Sequence, residues 1–275
     1  MNPASLEKLA LDGKVAIITG GTQGLGETIA HLFADRGAAG IVICGRTAKN
    51  GEKVKAALEK KGVKAVYVEA DLGKVDDARK VVEAADKAFG KVDALVNVAA
   101  ITDRGTIWDT SPELFDRMFA INVRAPFFLT QEAAKIMRRN KSPGTIVNII
   151  SMSGHGGQSF ITAYCASKGA LITLTKNVAF SVMRHKIRVN GLTIGWMDTP
   201  GEDRIMKTYH GADDNWREKA YASLPTGRML QPEEVARAVA YLSSEESGLM
   251  TGAIIDFDQS VLGCYESAPQ PGPIE

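Results

Sequence analysis

Cysteine is scarce and scattered. Cys44, Cys165 and Cys264 are the only three in 275 residues. None falls in a C-x-x-C or other ligand-type spacing, which argues against a disulfide framework or a zinc site. They read as reduced thiols, and Cys165 reads as small buried filler rather than a reactive group. An excess of either charge is lacking too: 33 Lys and Arg stand against 32 Asp and Glu, a formal net charge of +1. No global field would gather nucleic acid or an anionic membrane, which leaves small, locally recognised ligands. Apolar runs stop at strand length, and no basic segment near the N-terminus leads into an apolar one. Neither a membrane span nor a secretory signal is expected, and a cytoplasmic protein is.

What is present is a regular alternation. Val/Ile-rich runs at 15–19, 41–44, 65–69, 94–98, 145–150, 188–192 and 253–257 read as strands. Between them, 25–36, 48–61, 76–89, 112–139, 163–184 and 232–243 carry apolar residues at helical spacing. Continuous apolar strands alternating with helices predict an α/β, doubly wound, seven-stranded parallel sheet, the Rossmann fold. The length fits one domain over residues 1–275. Ser111-Pro112 and Gln231-Pro232, each followed by acids, mark helix starts. Residues 199–223 interrupt the pattern with Trp196, Tyr209, Trp216 and Tyr221 in or beside them. This segment reads as a substrate lid or, alternatively, an insertion packing on its own aromatics. The stretch 264–275, Pro-rich from Ser267 to Pro273, is expected to be an extended or mobile tail.

The first strand runs into Gly20-Gly21-Thr22-Gln23-Gly24-Leu25-Gly26 and then a helix. Glycines let the backbone turn tightly against a pyrophosphate, and the helix N-terminus stabilises its charge, so this loop is the expected dinucleotide cradle. Arg46 and Thr47 end the second strand, where an acid would favour a free ribose 2′-hydroxyl. A cation and a hydroxyl favour NADP(H), with NAD(H) the alternative. Asp71 and Leu72 follow the third strand, with Asp71 fitting either an adenine contact or a helix cap. Asn97, Val98 and Ala99 end the fourth, where the backbone would pass the ribose or simply turn.

Ser151 ends the fifth strand, and Tyr164-Cys165-Ala166-Ser167-Lys168 follows thirteen residues later. Four residues apart on a helix, Tyr164 and Lys168 share a face, so the ammonium is expected to pull down the phenol pKa. Ser151 would hold a substrate oxygen as charge develops, with no metal required. A serine-nucleophile triad lacks a suitably placed His and acid.

These motifs, over roughly 14–258, resemble the short-chain dehydrogenase/reductase superfamily: Thr19-Gly20-x-x-x-Gly24-x-Gly26, Asp71, Asn97, Asn122, Ser151, Tyr164, Lys168 and Arg188-Val189-Asn190-Gly191 through Gly195. The resemblance implies that Tyr164 is the general acid/base, Ser151 positions the substrate oxygen, and Lys168 also binds the nicotinamide ribose. It implies that Asn122 anchors a water-linked proton relay, that Thr199 meets the carboxamide, and that helices 112–139 and 163–184 pair subunits into a homotetramer. Two departures put cofactor affinity in question. The family's Asn-Asn-Ala-Gly is Asn97-Val98-Ala99-Ala100 here, and its Pro-Gly is Ile194-Gly195.

The expected activity is hydride transfer between NADP(H) or NAD(H) and a small-molecule secondary alcohol or ketone. Ser153, His155, Gln158 and Trp196 border the expected pocket and suit a sugar or polyol, with a hydrophobic ketone the alternative. His155 reads equally well as a solvent-facing loop residue. The epimerase and dehydratase branch, which shares Tyr and Lys, is disfavoured by the three residues between Gly20 and Gly24. From a different class, a non-catalytic dinucleotide sensor is disfavoured by retention of Asn122, Ser151, Tyr164 and Lys168.

Overall fold

A computed structural model describes residues 10–264; the Pro-rich stretch expected to form a tail lies almost wholly outside them. Seven parallel strands form one sheet in the order β3-β2-β1-β4-β5-β6-β7. They are β1 (Val15–Thr19), β2 (Gly40–Gly45), β3 (Lys64–Glu69), β4 (Ala94–Asn97), β5 (Gly144–Ile149), β6 (Ile187–Ile194) and β7 (Ile254–Phe257). Successive strand residues serve opposite faces. Ile18, Ile43, Val96 and Val147 pack with α1 (Gly24–Asp35), α2 (Ala48–Lys60) and α9 (Pro232–Ser243). Ile17, Val42, Leu95 and Ile146 pack with α3 (Val75–Phe89), α5 (Ala125–Arg139) and Ala179 of α6 (Thr162–Val182). Each such fully buried side chain contributes about 1.5–3 kcal/mol of apolar burial, which is why the strands read as unbroken apolar runs. The expected single-domain, doubly wound Rossmann architecture is therefore the one observed.

The helix expected across 112–139 is broken. It divides into α4 (Pro112–Phe119), a π-helical turn (Ala120–Arg124) and α5. Pro126 supplies the reason: it has no N–H to give the Asn122 carbonyl four residues back, so the α-helical ladder cannot continue there. The start at Ser111 is as expected, its hydroxyl accepting from the Leu114 N–H at 3.2 Å. The 199–223 segment holds α7 (Pro200–Tyr209) and α8 (Trp216–Ser223), which pack on aromatics of their own. Trp216, Ala220 and Met229 form a separate small core, joined by Trp196, Met206 and Tyr221. Among the described residues, no helix is long and apolar enough to cross a membrane.

Candidate active site

The carboxyl ends of β1, β2, β4, β5 and β6 open on one cleft of about 620 Å³. Gly20 and Gly24 adopt φ of +64° and +53°, values that only glycine takes without strain. At Gly26 any β-carbon would collide with the Gly20 carbonyl, so the loop packs on itself backbone to backbone. No side chain caps the start of α1, whose first N–H groups face this loop. Thr22 is buried against Gly45, where a β-carbon would stand 2.6 Å from the threonine hydroxyl. Gln23, Leu25, Arg46 and Thr47 complete the glycine-loop side, and Asp71 and Leu72 line the cleft beyond them. One Asp71 oxygen accepts from the Gly73 N–H at 3.0 Å, so the residue caps a turn while bordering the cleft.

Val98 and Ala99 line the cleft, but Asn97 does not. The Asn97 amide runs into the protein interior and donates to Asn148 Oδ1 at 2.8 Å. Asn148 in turn donates to Thr175 at 2.9 Å. The substitutions at Val98 and Ala100 leave the strand–helix junction held by another group, the Thr19 hydroxyl. It accepts from the Val98 and Ala99 N–H groups at 2.9 and 3.1 Å. Gly195 also lies off the cleft wall. Its N–H donates to the Phe257 carbonyl at 3.2 Å, and a β-carbon there would overlap the Asp258 carboxylate. Thr199 lines the cleft and accepts from the Glu202 N–H at 3.1 Å as the N-cap of α7, which keeps its own O–H free to donate.

Tyr164 and Lys168, on the first two turns of α6, line the same cleft. The Lys168 ammonium, 3% exposed, donates to the Ile149 carbonyl at 2.8 Å and lies over the Tyr164 ring, 5.7 Å from its centroid. Burial lowers the Lys168 pKa to about 8. The expected depression of the Tyr164 pKa is not what this geometry produces. Burial pushes the phenol up to about 12, with a hydrogen bond from Ser151 and the charge of Arg104 acting downward. The Ser151 oxygen accepts from the Ser153 N–H at 3.1 Å, which leaves its hydrogen for a second oxygen.

Asn122 is 1% exposed and clamps the loop after β4. Its amide accepts from the Ile101 N–H at 2.9 Å and donates to the Ile101 carbonyl at 3.0 Å, fixing the loop after β4. It also donates to Ser167, one residue before Lys168, at 3.1 Å.

The residues expected to border the substrate are dispersed. The Ser153 hydroxyl meets Gln158 at 3.5 Å. His155 turns to β7, its Nε2 3.2 Å from the Asp256 carboxylate. The Trp196 indole donates to Glu202 at 2.7 Å and stacks on Trp216 at 6.0 Å, so its polar edge serves the α7 segment. Sequence reasoning missed Asn50 and Met197 on the cleft wall and Arg104, whose charge reaches the Tyr164 phenol; Arg204, also on the wall, and Glu202, whose charge reaches the phenol too, lie within the 199–223 segment without having been singled out. Arg104 lies seven residues past a strand end already flagged; the others carry no spacing signal.

With this geometry in view, the relatives are informative. A family model described as enoyl-(acyl carrier protein) reductase matches residues 20–260. Galactitol 2-dehydrogenase of Agrobacterium fabrum is 33% identical over 257 residues, covering 91% of this chain and 98% of the relative. A short-chain type dehydrogenase/reductase from Mycobacterium marinum superposes with a TM-score of 0.83 at 30% identity, covering 92% and 97% of the two chains. An NAD⁺-bound xylitol dehydrogenase superposes at 0.82 and 27% identity, covering 90% and 98%. The chain therefore belongs to the short-chain dehydrogenase/reductase superfamily, oxidoreductases that act on alcohol and ketone groups with a nicotinamide cofactor.

Proposed function

We propose that the chain interconverts a secondary alcohol and its ketone, with Tyr164 as general acid/base, Ser151 holding the substrate oxygen, and Lys168 and Asn122 supporting the proton's path. The observation that carries this is convergence: Tyr164 and Lys168 line the same cleft as the glycine loop. The cradle fits a dinucleotide, because the positive-φ glycines and the backbone contact at Gly26 keep side chains out of the pyrophosphate's place. When bound, the nicotinamide supplies or accepts the hydride. Lys168 and Thr199 would hold its ribose and carboxamide, and Gly20 to Gly26 its pyrophosphate.

In oxidation Tyr164 takes the hydroxyl proton while the Ser151 hydroxyl donates to the oxygen. In reduction the protonated phenol, the form that burial favours, gives its proton to the developing alkoxide. We read the cofactor as NADP(H): Arg46 is exposed on the cleft wall and forms no ion pair among the described residues, and Thr47 stands beside it. We read the substrate as a polyhydroxylated alcohol. Relatives named for galactitol and xylitol support the reading. The family model's description favours a second reading, reduction of a hydrophobic or acyl-chain ketone.

Exposed apolar side chains Phe115, Phe127, Phe180 and Met183 along α4, α5, α6 and the turn after it support a homotetramer. The test is cofactor absorbance with a panel of polyols, sugars and aliphatic ketones, using both cofactors and Tyr164→Phe as control. Turnover of polyols, lost in the variant, is expected. Cofactor binding without turnover of any member would favour the sensor, and preference for aliphatic ketones would favour the second reading.

A further inference from the structure

The loop after β4 crosses the entrance to α6. The Gly105 N–H donates to the Phe160 carbonyl at 3.0 Å, and the Thr162 N–H donates back to the Gly105 carbonyl at 3.1 Å. This two-way main-chain clasp closes two residues before Tyr164 and fixes the neighbouring Arg104 there. The Arg104 guanidinium is built into place: Nη1 donates to the Thr102 carbonyl at 2.9 Å, and Nε meets His210 Nε2 at 3.2 Å. It lies 5.4 Å from the Phe160 ring centroid and 5.9 Å from that of Tyr209. Tyr209 and His210 end α7, so one side chain joins the loop after β4, the entrance to α6 and the end of α7. The Arg104 charge acts on the Tyr164 phenol against burial, and the Glu202 carboxylate acts with burial.

Among the described residues, this guanidinium has no carboxylate partner. The adjacent Asp103 accepts instead from the Tyr209 hydroxyl at 3.2 Å, and the hydrogen bonds of Arg104 among the described residues go to neutral acceptors. Arg217, in the same lid, is neutralised by Asp198 and Asp203, each at 2.9 Å. A clip between loops needs only neutral donors. A half-buried guanidinium with spare N–H groups, on a loop clasped to α6 two residues before Tyr164, is complementary to an oxyanion.

We propose that Arg104 binds an anionic group, carboxylate or phosphate, on the substrate whose oxygen meets Tyr164. This rests on the alcohol dehydrogenase reading and narrows it. Glu202, held by the Trp196 indole, then accepts from hydroxyls of the same molecule, which makes the substrate class a hydroxylated chain with one acidic end.

The test uses three compounds that share a hydroxylated chain and differ at one terminus: galactitol, galactonate and galactitol 6-phosphate. Wild type is expected to favour an anionic member over galactitol by about tenfold or more in kcat/KM, mainly through KM, as one charge-assisted pair would give. The better of the two anions identifies the group. In Arg104→Gln the preference should collapse towards one, and in Arg104→Lys much of it should survive. Preference of the wild type for galactitol overturns the proposal, and so does an equal loss on all three compounds in Arg104→Gln, the mark of a structural clip. If none is oxidised, calorimetry of galactonate and galactitol 6-phosphate on the enzyme–cofactor complex decides. Binding lost in Arg104→Gln supports the anion site, and absence of binding to wild type overturns it. Failure of every alcohol, anionic or neutral, counts separately against the dehydrogenase reading.

Discussion

The Lys168 ammonium stands over the face of the Tyr164 ring, 5.7 Å from its centroid, and donates to the Ile149 carbonyl at 2.8 Å. An ammonium that is 3% exposed with one neutral acceptor is poorly compensated, and its pKa falls to about 8. The folded state therefore disfavours the charged form. The penalty is complete below about pH 8 and disappears as pH rises from there towards the ordinary lysine value near 10.5. Lys168→Met should raise unfolding free energy by about 1–2 kcal/mol at pH 7, less the unmet Ile149 carbonyl, while abolishing turnover. Chemical denaturation at pH 7 and pH 10 checks this: a variant less stable than wild type at pH 7 contradicts it.

Tyr164 should impose opposite pH dependence on the two directions. Its pKa is raised to about 12, so the protonated donor persists through neutrality and reduction should stay level from pH 6 to about 8, where Lys168 loses its charge. Oxidation draws on the scarce tyrosinate and should climb over the same range. Tyr164→Phe should lower kcat in both directions by about 10²–10⁴, the usual worth of a general acid/base, with cofactor binding kept. Oxidation that is flat with pH would remove the phenol from the proton's path.

Arg46 offers the cleanest handle on cofactor choice, since its side chain is exposed and forms no ion pair among the described residues. Arg46→Ala should reduce kcat/KM with NADP by about 10–100-fold, the worth of one or two charge-assisted contacts, and leave NAD within about twofold. Equal losses with both cofactors would make Arg46 a bystander to the ribose.

At the opposite end of the chain's chemistry, Glu234 takes a two-pronged contact from Arg228 at 2.8 Å and a bond from the Gln231 N–H at 2.9 Å. These lower its pKa to about 2, the Arg228 contact contributing most. Its stabilisation is present above the unfolded value near 4.5 and is lost as pH falls from there towards 2. Because both partners are partly solvated, Glu234→Gln should cost only about 1 kcal/mol at pH 7, with the difference from wild type vanishing near pH 2. Urea midpoints across that window measure it.

The alternation of apolar runs carried all seven strands, because parallel strands buried on both faces have no polar positions to blur the signal. The glycine loop and the Ser151, Tyr164 and Lys168 set were legible for a related reason: backbone turns and proton chemistry tolerate few residue types. The break at Asn122 was written in Pro126, but helical periodicity on both sides masked it. The direction of the Tyr164 shift was not legible, since i,i+4 spacing gives proximity to a charge and says nothing of how dry the site is. Nor was the placement of Arg104, Glu202 or His155, whose positions depend on how three loops meet.

The Trp196, Trp216, Met206 and Met229 cluster gives the α7–α8 segment a core that the sheet does not share. Within the one domain, this segment therefore has a small cohesive cluster of its own beside the cores on the two faces of the sheet. Hydrogen exchange should find it opening independently. Over evolutionary time, substitutions in this segment could accumulate without unsettling the sheet beneath it.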